Sequence, residues 1–318
     1  EEYDLYKDVH IPEPDNLFDG FSYRGTAIRE QTLTLYEDLP YNMMIGDPGE
    51  LGELTEEQRR AWDAYRVPDV EKFEALGLDW NDPSKKLSRF KYQALLRNFL
   101  AAGAGIDKNV GRIRAFLEEN DLADNTIVIY MADHGYFLGE HGFFDKRFMY
   151  EESIRTAFIV HWPGVVEKGV INDKDIVSNL DIASTFLEMA GIEIPEQIQG
   201  RSMVSILEGK TPENWRKTFL YTYHELANHH VQPHYGVTDG RNKLIYYPVH
   251  NEWEFFDLNK DPSEMISQYY IPENQKTVME LKRELVRLRN FYHCPPNMTL
   301  RNMNKQASWP YEKRTKPL

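Results

Sequence analysis

The sequence predicts an α/β protein: a doubly wound mixed sheet, followed by a smaller antiparallel sheet packed against a helix. Three observations lead to this prediction. Apolar residues recur at helical spacing from Leu87 to Asn120, and an apolar, β-branched run follows from Asn125 to Met131. Beyond Lys210, short strand-like segments alternate with turns and end in a charged amphipathic helix. We therefore expect an α/β domain over residues 1–210 and a small α+β subdomain with a tail over residues 211–318.

The first 83 residues are rich in Pro, Gly, Asp and Glu and contain only short apolar patches. This composition predicts loops and small helices that cover a core, and a partly disordered surface region is the alternative. The long helix that follows should end near Asn120. Its apolar positions are Phe90, Leu95, Phe99, Ile106, Val110, Ile113 and Leu117.

The strand from Asn125 to Met131 lacks alternation, which predicts a parallel strand covered on both faces. It ends in Asp133-His134-Gly135, and ligands of open α/β sheets bind at the carboxyl ends of strands. A loop broken by glycines then leads to Lys146. The arrangement suits a metal ion beside an oxyanion, with Asp133 and His134 as ligands and Lys146 on the anion. Taken separately, the same residues are more typical of a capped turn and a solvated lysine.

The remaining elements follow from similar signals. Residues 157–161 predict a second core strand that ends at Trp162-Pro163-Gly164, and a helix should run from Asp181 to Ala190 before Gly191. Asp239-Gly240 is a strong hairpin turn signal. The carboxyl-terminal elements are predicted at Thr218–Tyr223, Tyr235–Thr238, Lys243–Tyr247 and Trp253–Leu258 for strands, and at Lys276–Tyr292 for a helix.

Charge and composition exclude some functions. The chain of 318 residues has 37 basic and 51 acidic side chains, a net charge of -14, which argues against a general nucleic-acid or anionic-membrane surface. No apolar run approaches the ~18 residues that a membrane span needs. The single cysteine, Cys294, excludes an internal disulfide framework.

The string from Ala132 to Arg155 resembles the sulfatase family of the alkaline phosphatase superfamily. Family members follow a strand with Ser-Asp-His-Gly or Ser-Asp-Asn-Gly, where this chain has Ala132 in place of the serine. Leu-Gly-Glu-His-Gly, a lysine, Tyr-Glu-Glu and Trp-Pro-Gly come next. The matching segments here are Leu138–Gly142, Lys146, Tyr150–Glu152 and Trp162–Gly164. The likeness covers the chain from about Ser88 and is strongest to glycan sulfatases, such as those similar to N-acetylglucosamine-6-sulfatase and iduronate-2-sulfatase. It implies an alkaline-phosphatase-like fold.

The resemblance implies a sulfuric ester hydrolase that acts on sulfated glycans such as glycosaminoglycans or mucin-type chains. In the family a calcium ion is held by acids near the amino terminus and by a pair that Asp133 and His134 match; the imidazole makes Mn²⁺ the alternative. Lys146 matches the lysine that contacts the sulfate. Because the family's carboxyl-terminal subdomain contributes substrate contacts, we expect the loop from Asn228 to His234 to meet the sugar, with His234 as the candidate residue. Surface exposure is the competing interpretation for these histidines, and their spacing disfavours a zinc site.

The family's nucleophile is a formylglycine made within Cys-x-Pro-x-Arg or Ser-x-Pro-x-Arg, and neither motif occurs in these residues. We therefore expect a carboxyl-terminal portion of a sulfatase, inactive alone, whose amino-terminal half lies in the same or a separate chain and carries the formylglycine. The family implies a periplasmic, secreted or lysosomal location. Two alternatives stay open: a metal-dependent phosphodiesterase or phosphonate monoester hydrolase of the same superfamily, and a non-catalytic glycan-binding remnant.

Overall fold

A computed structural model describes residues 2–45, 54–225 and 228–294. Two compact units alternate along the chain: unit one comprises Glu1–Asp19, Thr32–Asp124 and Tyr136–Lys146, and unit two comprises Gly20–Gln31, Asn125–Gly135 and Arg147–Leu318. The sequence predicted two domains with one boundary at residue 210. The two units are each made of three chain segments and are a different division, so that boundary stays a prediction. Within the described ranges, no helix is long and apolar enough to cross a bilayer.

The helices and strands are numbered in chain order. The helices are α1 (Thr26–Arg29), α2 (Tyr41–Met44), α3 (Glu56–Glu74), α4 (Lys85–Glu119), α5 (Glu151–Ile154), α6 (Leu180–Met189), α7 (Val204–Leu207) and α8 (Gln275–Phe291). The strands are β1 (Val128–Met131), β2 (Phe137–Leu138), β3 (Phe144–Asp145), β4 (Phe158–His161), β5 (Phe219–Tyr223), β6 (His234–Thr238), β7 (Asn242–Tyr247) and β8 (Glu252–Asp257).

Unit one is built around the long helix α4, which begins where the Ser84 hydroxyl accepts a hydrogen bond from the Leu87 amide. The predicted helix is confirmed, but only its amino-terminal half is buried, along the side that carries Leu87, Tyr92 and Leu95. Phe99, Ile106, Ile113 and Phe116 are between 41% and 58% exposed. The predicted apolar positions therefore lie on a helix, but only those near its amino-terminal end pack against other described residues.

The amino-terminal segment contains the short helices α1 and α2, as its composition predicts, and the longer α3. The start of α3 is stabilised by a capping box: the Thr55 hydroxyl accepts from the Gln58 amide, and the Gln58 side chain accepts from the Thr55 amide. Arg97 on α4 contacts both carboxylate oxygens of Asp69 on α3, at 2.8 and 2.7 Å. One guanidinium nitrogen, Nη2, makes both contacts, and this buried ion pair connects the two helices.

In unit two, β1 pairs with β4 in antiparallel register, Val128 opposite His161 and Met131 opposite Phe158. The prediction of a parallel strand covered on both faces is therefore wrong for the described part of the chain. Phe158 packs on the cluster of Met203, Ile206 and Trp215, whereas the other face carries Tyr130 and Ile159, which are 39% and 63% exposed. An unbroken apolar run indicates that both faces of the strand are apolar. It does not indicate whether the neighbouring strand is parallel or antiparallel.

The carboxyl-terminal part of unit two confirms the predicted antiparallel sheet and helix. Its four strands lie in the order β5-β6-β7-β8. Asp239 and Gly240 form the predicted turn between β6 and β7, with Gly240 at a φ of 88° that an L-residue rarely adopts. α8 closes one face of this sheet. The buried core between them contains Val237, Leu244, Phe255, Val278, Leu281, Leu285 and Leu288.

Candidate functional site

The turn that carries the predicted metal ligands is fixed by backbone contacts. The Gly135 amide donates to the Ser153 carbonyl at 2.9 Å, and the Ala132 amide donates to the Ala157 carbonyl at 3.1 Å. A Cβ on Gly135 would lie 2.1 Å from the Glu152 carbonyl oxygen, far inside van der Waals contact. Only glycine therefore allows the turn to lie this close to the backbone of α5 and its flanking residues.

Asp133 and His134 place their donor atoms close together. The His134 Nδ1 lies 2.7 Å from the Gly135 carbonyl oxygen, which can only accept, so Nδ1 is a donor and Nε2 is the ring nitrogen left for another partner. Nε2 is 3.5 Å from the Asp133 carboxylate, and the side chains of Asp133 and His134 are 87% and 38% exposed. Two electron-pair donors that face one another at the surface are suited to a shared cation, and a histidine oriented by a carbonyl is typical of metal sites.

Two ligands do not complete a metal site. Over the described ranges, no group of three or more His, Cys, Asp or Glu side chains is arranged to hold an ion. The oxygen and imidazole nitrogen of this pair are donor types that divalent metal ions bind, and a complete site would need further ligands from other segments.

Lys146 is the last residue of unit one. Its ammonium lies 2.8 Å from the Asp145 carboxylate, and the lysine side chain is 31% exposed. Asp145 has a φ of 70°, in the left-handed region. The adjoining carboxylate thus orients a lysine side chain that is partly exposed.

The glycine-rich loop between the two motifs contains a buried contact between a histidine and a carboxylate that the sequence did not indicate. The His141 Nδ1 is 3.1 Å from the Asp19 carboxylate, and the two side chains are 1% and 7% exposed. Gly142 and Gly139 have positive φ values, and a Cβ on Gly142 would lie 2.8 Å from the Leu17 carbonyl oxygen. The two glycines therefore allow this loop to fold tightly, and His141 anchors it from within.

A second buried polar network holds the Tyr-Glu-Glu string of unit two. Lys243 on β7 is fully buried, and its ammonium lies 2.8 Å from the Glu151 carboxylate and 2.7 Å from that of Glu264. The Glu151 amide donates to Glu264 at 2.7 Å. Burial raises the pKa of Glu264 to about 7, although Lys243 opposes the shift.

Tyr150 extends the same network. Its hydroxyl donates to the buried Glu254 carboxylate at 3.0 Å, and the Tyr247 hydroxyl donates to the same oxygen at 3.1 Å. The Gly25 amide donates to the other Glu254 oxygen at 2.8 Å. The segment that backs the Asp133-His134 turn is therefore attached to β7 and β8 by charged and polar groups. No local pattern in the sequence signals the contacts of Tyr150 and Gly25 with Glu254, because these residues lie 104 and 229 positions apart.

His234 is buried rather than exposed. It opens β6 in an enclosure of aromatic rings, and its Nδ1 lies 2.8 Å from the Gln232 carbonyl oxygen. Burial lowers its pKa to about 4, so the ring is neutral at ordinary pH. Its predicted contact with a sugar stays a prediction, and residues 226 and 227 of the adjoining loop lie outside the described ranges. The enclosing rings are Phe148, Tyr221, Tyr223 and Tyr247, with centroids between 5.4 and 5.7 Å from that of His234.

Comparison with protein families supports a specific relationship. The family model described as sulfatase matches residues 53–192, and the model described as the carboxyl-terminal part of N-sulphoglucosamine sulphohydrolase matches residues 139–291. Between them, the two matches cover parts of both units, including the Asp133-His134 turn, Lys146 and the antiparallel sheet.

Individual relatives agree with the family models. An N-acetylglucosamine-6-O-sulfatase of Bacteroides thetaiotaomicron is 38% identical over 304 residues, covering 88% of this chain and 53% of the relative. An arylsulfatase of Clostridium perfringens is 28% identical over 254 residues, covering 79% of this chain and 47% of the relative. This chain therefore spans about half the length of these curated relatives.

A solved structure matches the fold over nearly the whole chain. It shows a protein in complex with its substrate D-glucosamine-2-N,6-O-disulfate, and it superposes with a TM-score of 0.85 at 34% sequence identity. The match covers 93% of this chain and 63% of that one. The fold of this chain therefore corresponds to about two thirds of that solved structure.

Proposed function

Because this chain belongs to the sulfatase family, we propose that it forms the carboxyl-terminal part of a sulfuric ester hydrolase that removes sulfate from glycans. The observation that carries the proposal is the turn at Asp133 and His134, whose donor atoms lie 3.5 Å apart at the end of β1. Sulfated hexosamine is the substrate class best supported, since a relative is named an N-acetylglucosamine-6-O-sulfatase and a structural neighbour binds a glucosamine disulfate.

The side chains divide the chemistry among them. Asp133 and His134 would hold the metal ion, Ca²⁺ or alternatively Mn²⁺, and the ion when bound would polarise the sulfate. Ca²⁺ prefers oxygen ligands, so the imidazole of His134 favours Mn²⁺ more than an Asn or Gln would. Lys146 would stabilise the negative charge on the sulfate oxygens as the S–O bond breaks, and its ammonium is a source of the proton for the leaving alkoxide.

The nucleophile must come from another segment. The 318 residues contain neither Cys-x-Pro-x-Arg nor Ser-x-Pro-x-Arg, and sulfatases use a formylglycine together with their metal ion. We assign it to an amino-terminal half, in the same or a separate polypeptide. The exposed apolar face at Tyr130 and Ile159 supports such a partner, because a strand with two apolar faces is ordinarily covered on both. A location outside the cytosol, in the periplasm, a lysosome or the extracellular space, belongs to the same proposal.

The test is reconstitution. The chain is co-expressed with the part of the Bacteroides N-acetylglucosamine-6-O-sulfatase that lies outside the matched region, and sulfate release from N-acetylglucosamine-6-sulfate is measured. We expect release from the complex and none from the chain alone. Asp133→Ala and Lys146→Ala should each lower kcat/KM by at least about a hundredfold, as the loss of electrostatic stabilisation does elsewhere. Asp173→Ala and Lys168→Ala, at exposed positions, are the matched controls.

A phosphodiesterase is the second candidate, and the imidazole of His134 is the observation that favours it. The reconstituted complex would then hydrolyse bis-p-nitrophenyl phosphate faster than the sulfate ester, with Mn²⁺ raising the rate further. Sulfate release that is insensitive to both Asp133→Ala and Lys146→Ala would exclude the proposed site in either enzyme. A complex that binds the sugar and hydrolyses neither ester would leave the glycan-binding remnant as the function.

A further inference from the structure

The carboxyl-terminal half of α4 has an apolar side that the described residues leave largely uncovered. Positions 106, 110, 113 and 117 follow one another at intervals of three or four residues, so they share one side of the helix. Ile106 and Ile113 are 49% and 57% exposed, and Phe116, which borders them, is 58% exposed. Val110 and Leu117 are half-buried. We call these five residues the α4 face.

The same side of α4 is buried in its amino-terminal half. Tyr92 and Leu95, which are 3% and 4% exposed, precede Ile106 by about four and three helical turns. Between them and the α4 face lies Phe99, whose ring centre is 5.5 Å from that of Tyr136. One apolar stripe therefore runs along the helix, and its coverage ends near Phe99. An amphipathic helix ordinarily buries such a stripe over its whole length.

The opposite side of α4 is polar and already has partners. The Lys108 ammonium lies 2.8 Å from the Glu2 carboxylate, and the Arg114 guanidinium lies 3.9 Å from that of Glu118. Charged side chains of this kind are stable in water without further burial. Single exposed apolar residues are also ordinary, but several of them together on one side of a helix indicate a contact with another polypeptide.

The comparisons indicate which polypeptide this is. The sulfatase family model matches residues 53–192, which include the whole of α4. The solved structure with bound glucosamine disulfate has 63% of its chain covered, and the N-acetylglucosamine-6-O-sulfatase has 53% covered, so 37% and 47% of these chains lie outside the match. In these relatives, a large further part must pack on the part that corresponds to this chain.

A second copy of this chain is the other occupant to consider. Each copy has a net charge of -14, so two copies repel one another as they approach. The α4 face itself contains no charged side chain, and a charged group placed on it would be desolvated without a partner. The surface that covers it should therefore be apolar.

We propose that the α4 face is the surface on which the amino-terminal part of the sulfatase packs, through an apolar surface of its own. This inference rests on the proposed function, which assigns such a part, and it specifies where on this chain that part binds. Ile106, Ile113 and Phe116 would then lie in the interior of the complete enzyme.

The test compares two cysteine variants by maleimide labelling, followed by mass spectrometry of the α4 peptide. Ile113→Cys lies on the α4 face, and Ala115→Cys, at an exposed position on the opposite side, is the matched control. The second protein joins the unmatched part of the Bacteroides N-acetylglucosamine-6-O-sulfatase to the amino terminus of this chain. In the chain alone, both cysteines should react freely. In the joined polypeptide, labelling should slow about tenfold or more at Ile113→Cys and less than about twofold at Ala115→Cys, since a buried thiol reacts only after local opening.

Co-expression of the two parts as separate chains gives a second measurement. Ile106→Asp combined with Ile113→Asp should lower the amount of the unmatched part that copurifies by about tenfold or more, because the complex would bury two unpaired carboxylates. Ala115→Asp should leave copurification unchanged. Both variants should keep the circular dichroism of the unmodified chain, because all three positions are exposed.

Equal labelling of Ile113→Cys and Ala115→Cys in the joined polypeptide would overturn the proposal. So would copurification that is absent with the unmodified chain or insensitive to the two aspartates. Protection of Ile113→Cys in the chain alone that grows with its concentration would show that a second copy occupies the face. Catalysis is a separate readout: protection without sulfate release contradicts the proposed function alone, and sulfate release with Ile113→Cys freely labelled contradicts this inference alone.

Discussion

The buried ammonium of Lys243 supports a quantitative prediction about the network behind the Asp133-His134 turn. Lys243→Met replaces a fully buried cation with an apolar side chain of similar length and leaves the carboxylates of Glu151 and Glu264 without their partner. Removing one member of a buried ion pair costs about 3–5 kcal/mol of unfolding free energy when the other member stays charged. We expect a loss of this size at pH 8.

The loss should become smaller at lower pH. The pKa of Glu264 in the folded protein is about 7, above its ordinary value of 4.5, so the folded state binds more protons than the unfolded state between these two values. Stability contributed by the protonated carboxyl is therefore present at low pH and declines as the pH rises through this window, by at most about 3 kcal/mol. At pH 5 a protonated Glu264 no longer requires the lysine, and Lys243→Met should cost less than it does at pH 8.

The assay is urea unfolding followed by circular dichroism at several pH values between 5 and 8. Lys260→Met, at a lysine whose side chain is 65% exposed, is the control and should change the unfolding free energy by less than about 1 kcal/mol at every pH. A cost for Lys243→Met that is below that of the control, or that does not grow as the pH rises, would refute the assigned charges.

Two further predictions concern the turn and the enclosed histidine. Gly135→Ala should destabilise unit two and abolish sulfate release by the reconstituted enzyme, because its Cβ would collide with the Glu152 carbonyl; Gly103→Ala, where nothing lies within 4 Å, should leave activity unchanged. His234→Phe should flatten the dependence of the melting temperature on pH: the pKa of His234 is lowered to about 4, so the unfolded state binds the extra proton and stability falls as the pH drops from 6.5 toward 4. A variant that retains the slope of the wild-type protein would show that another group titrates.

Local signals predicted the carboxyl-terminal sheet well. Asp239 and Gly240 specify a tight turn, and the Asp239 carboxylate accepts hydrogen bonds from the amides of Arg241 and Asn242. The spacing of Val278, Leu281, Leu285 and Leu288 defines the face of α8 that meets the sheet. In each case the residues that determine the element lie within one short segment, so the local sequence is enough to predict it.

Direction and pairing could not be predicted in the same way. The apolar run that forms β1 is equally compatible with a parallel or an antiparallel partner, and the choice depends on β4, about thirty residues away. The pairs of Asp19 with His141 and of Lys243 with Glu264 join residues that are distant in sequence. From the sequence alone, such charged side chains are expected at the surface, because most charged residues are exposed. Composition does not reveal that these are buried.

The side chains of the proposed site and the backbone that carries them are held in place to different degrees. Asp133 and His134 are exposed, so little in their own packing would keep their donor atoms at one spacing. The backbone around them is instead fixed by the Gly135 amide, and the segment it contacts is fixed in turn by Glu151 and its buried lysine. An exposed ligand pair on a rigid backbone can accept an ion and further ligands without a loss of order elsewhere. Perturbing Lys243 should therefore weaken the turn even though it touches neither ligand, and hydrogen exchange at the Gly135 amide would detect this before global unfolding does.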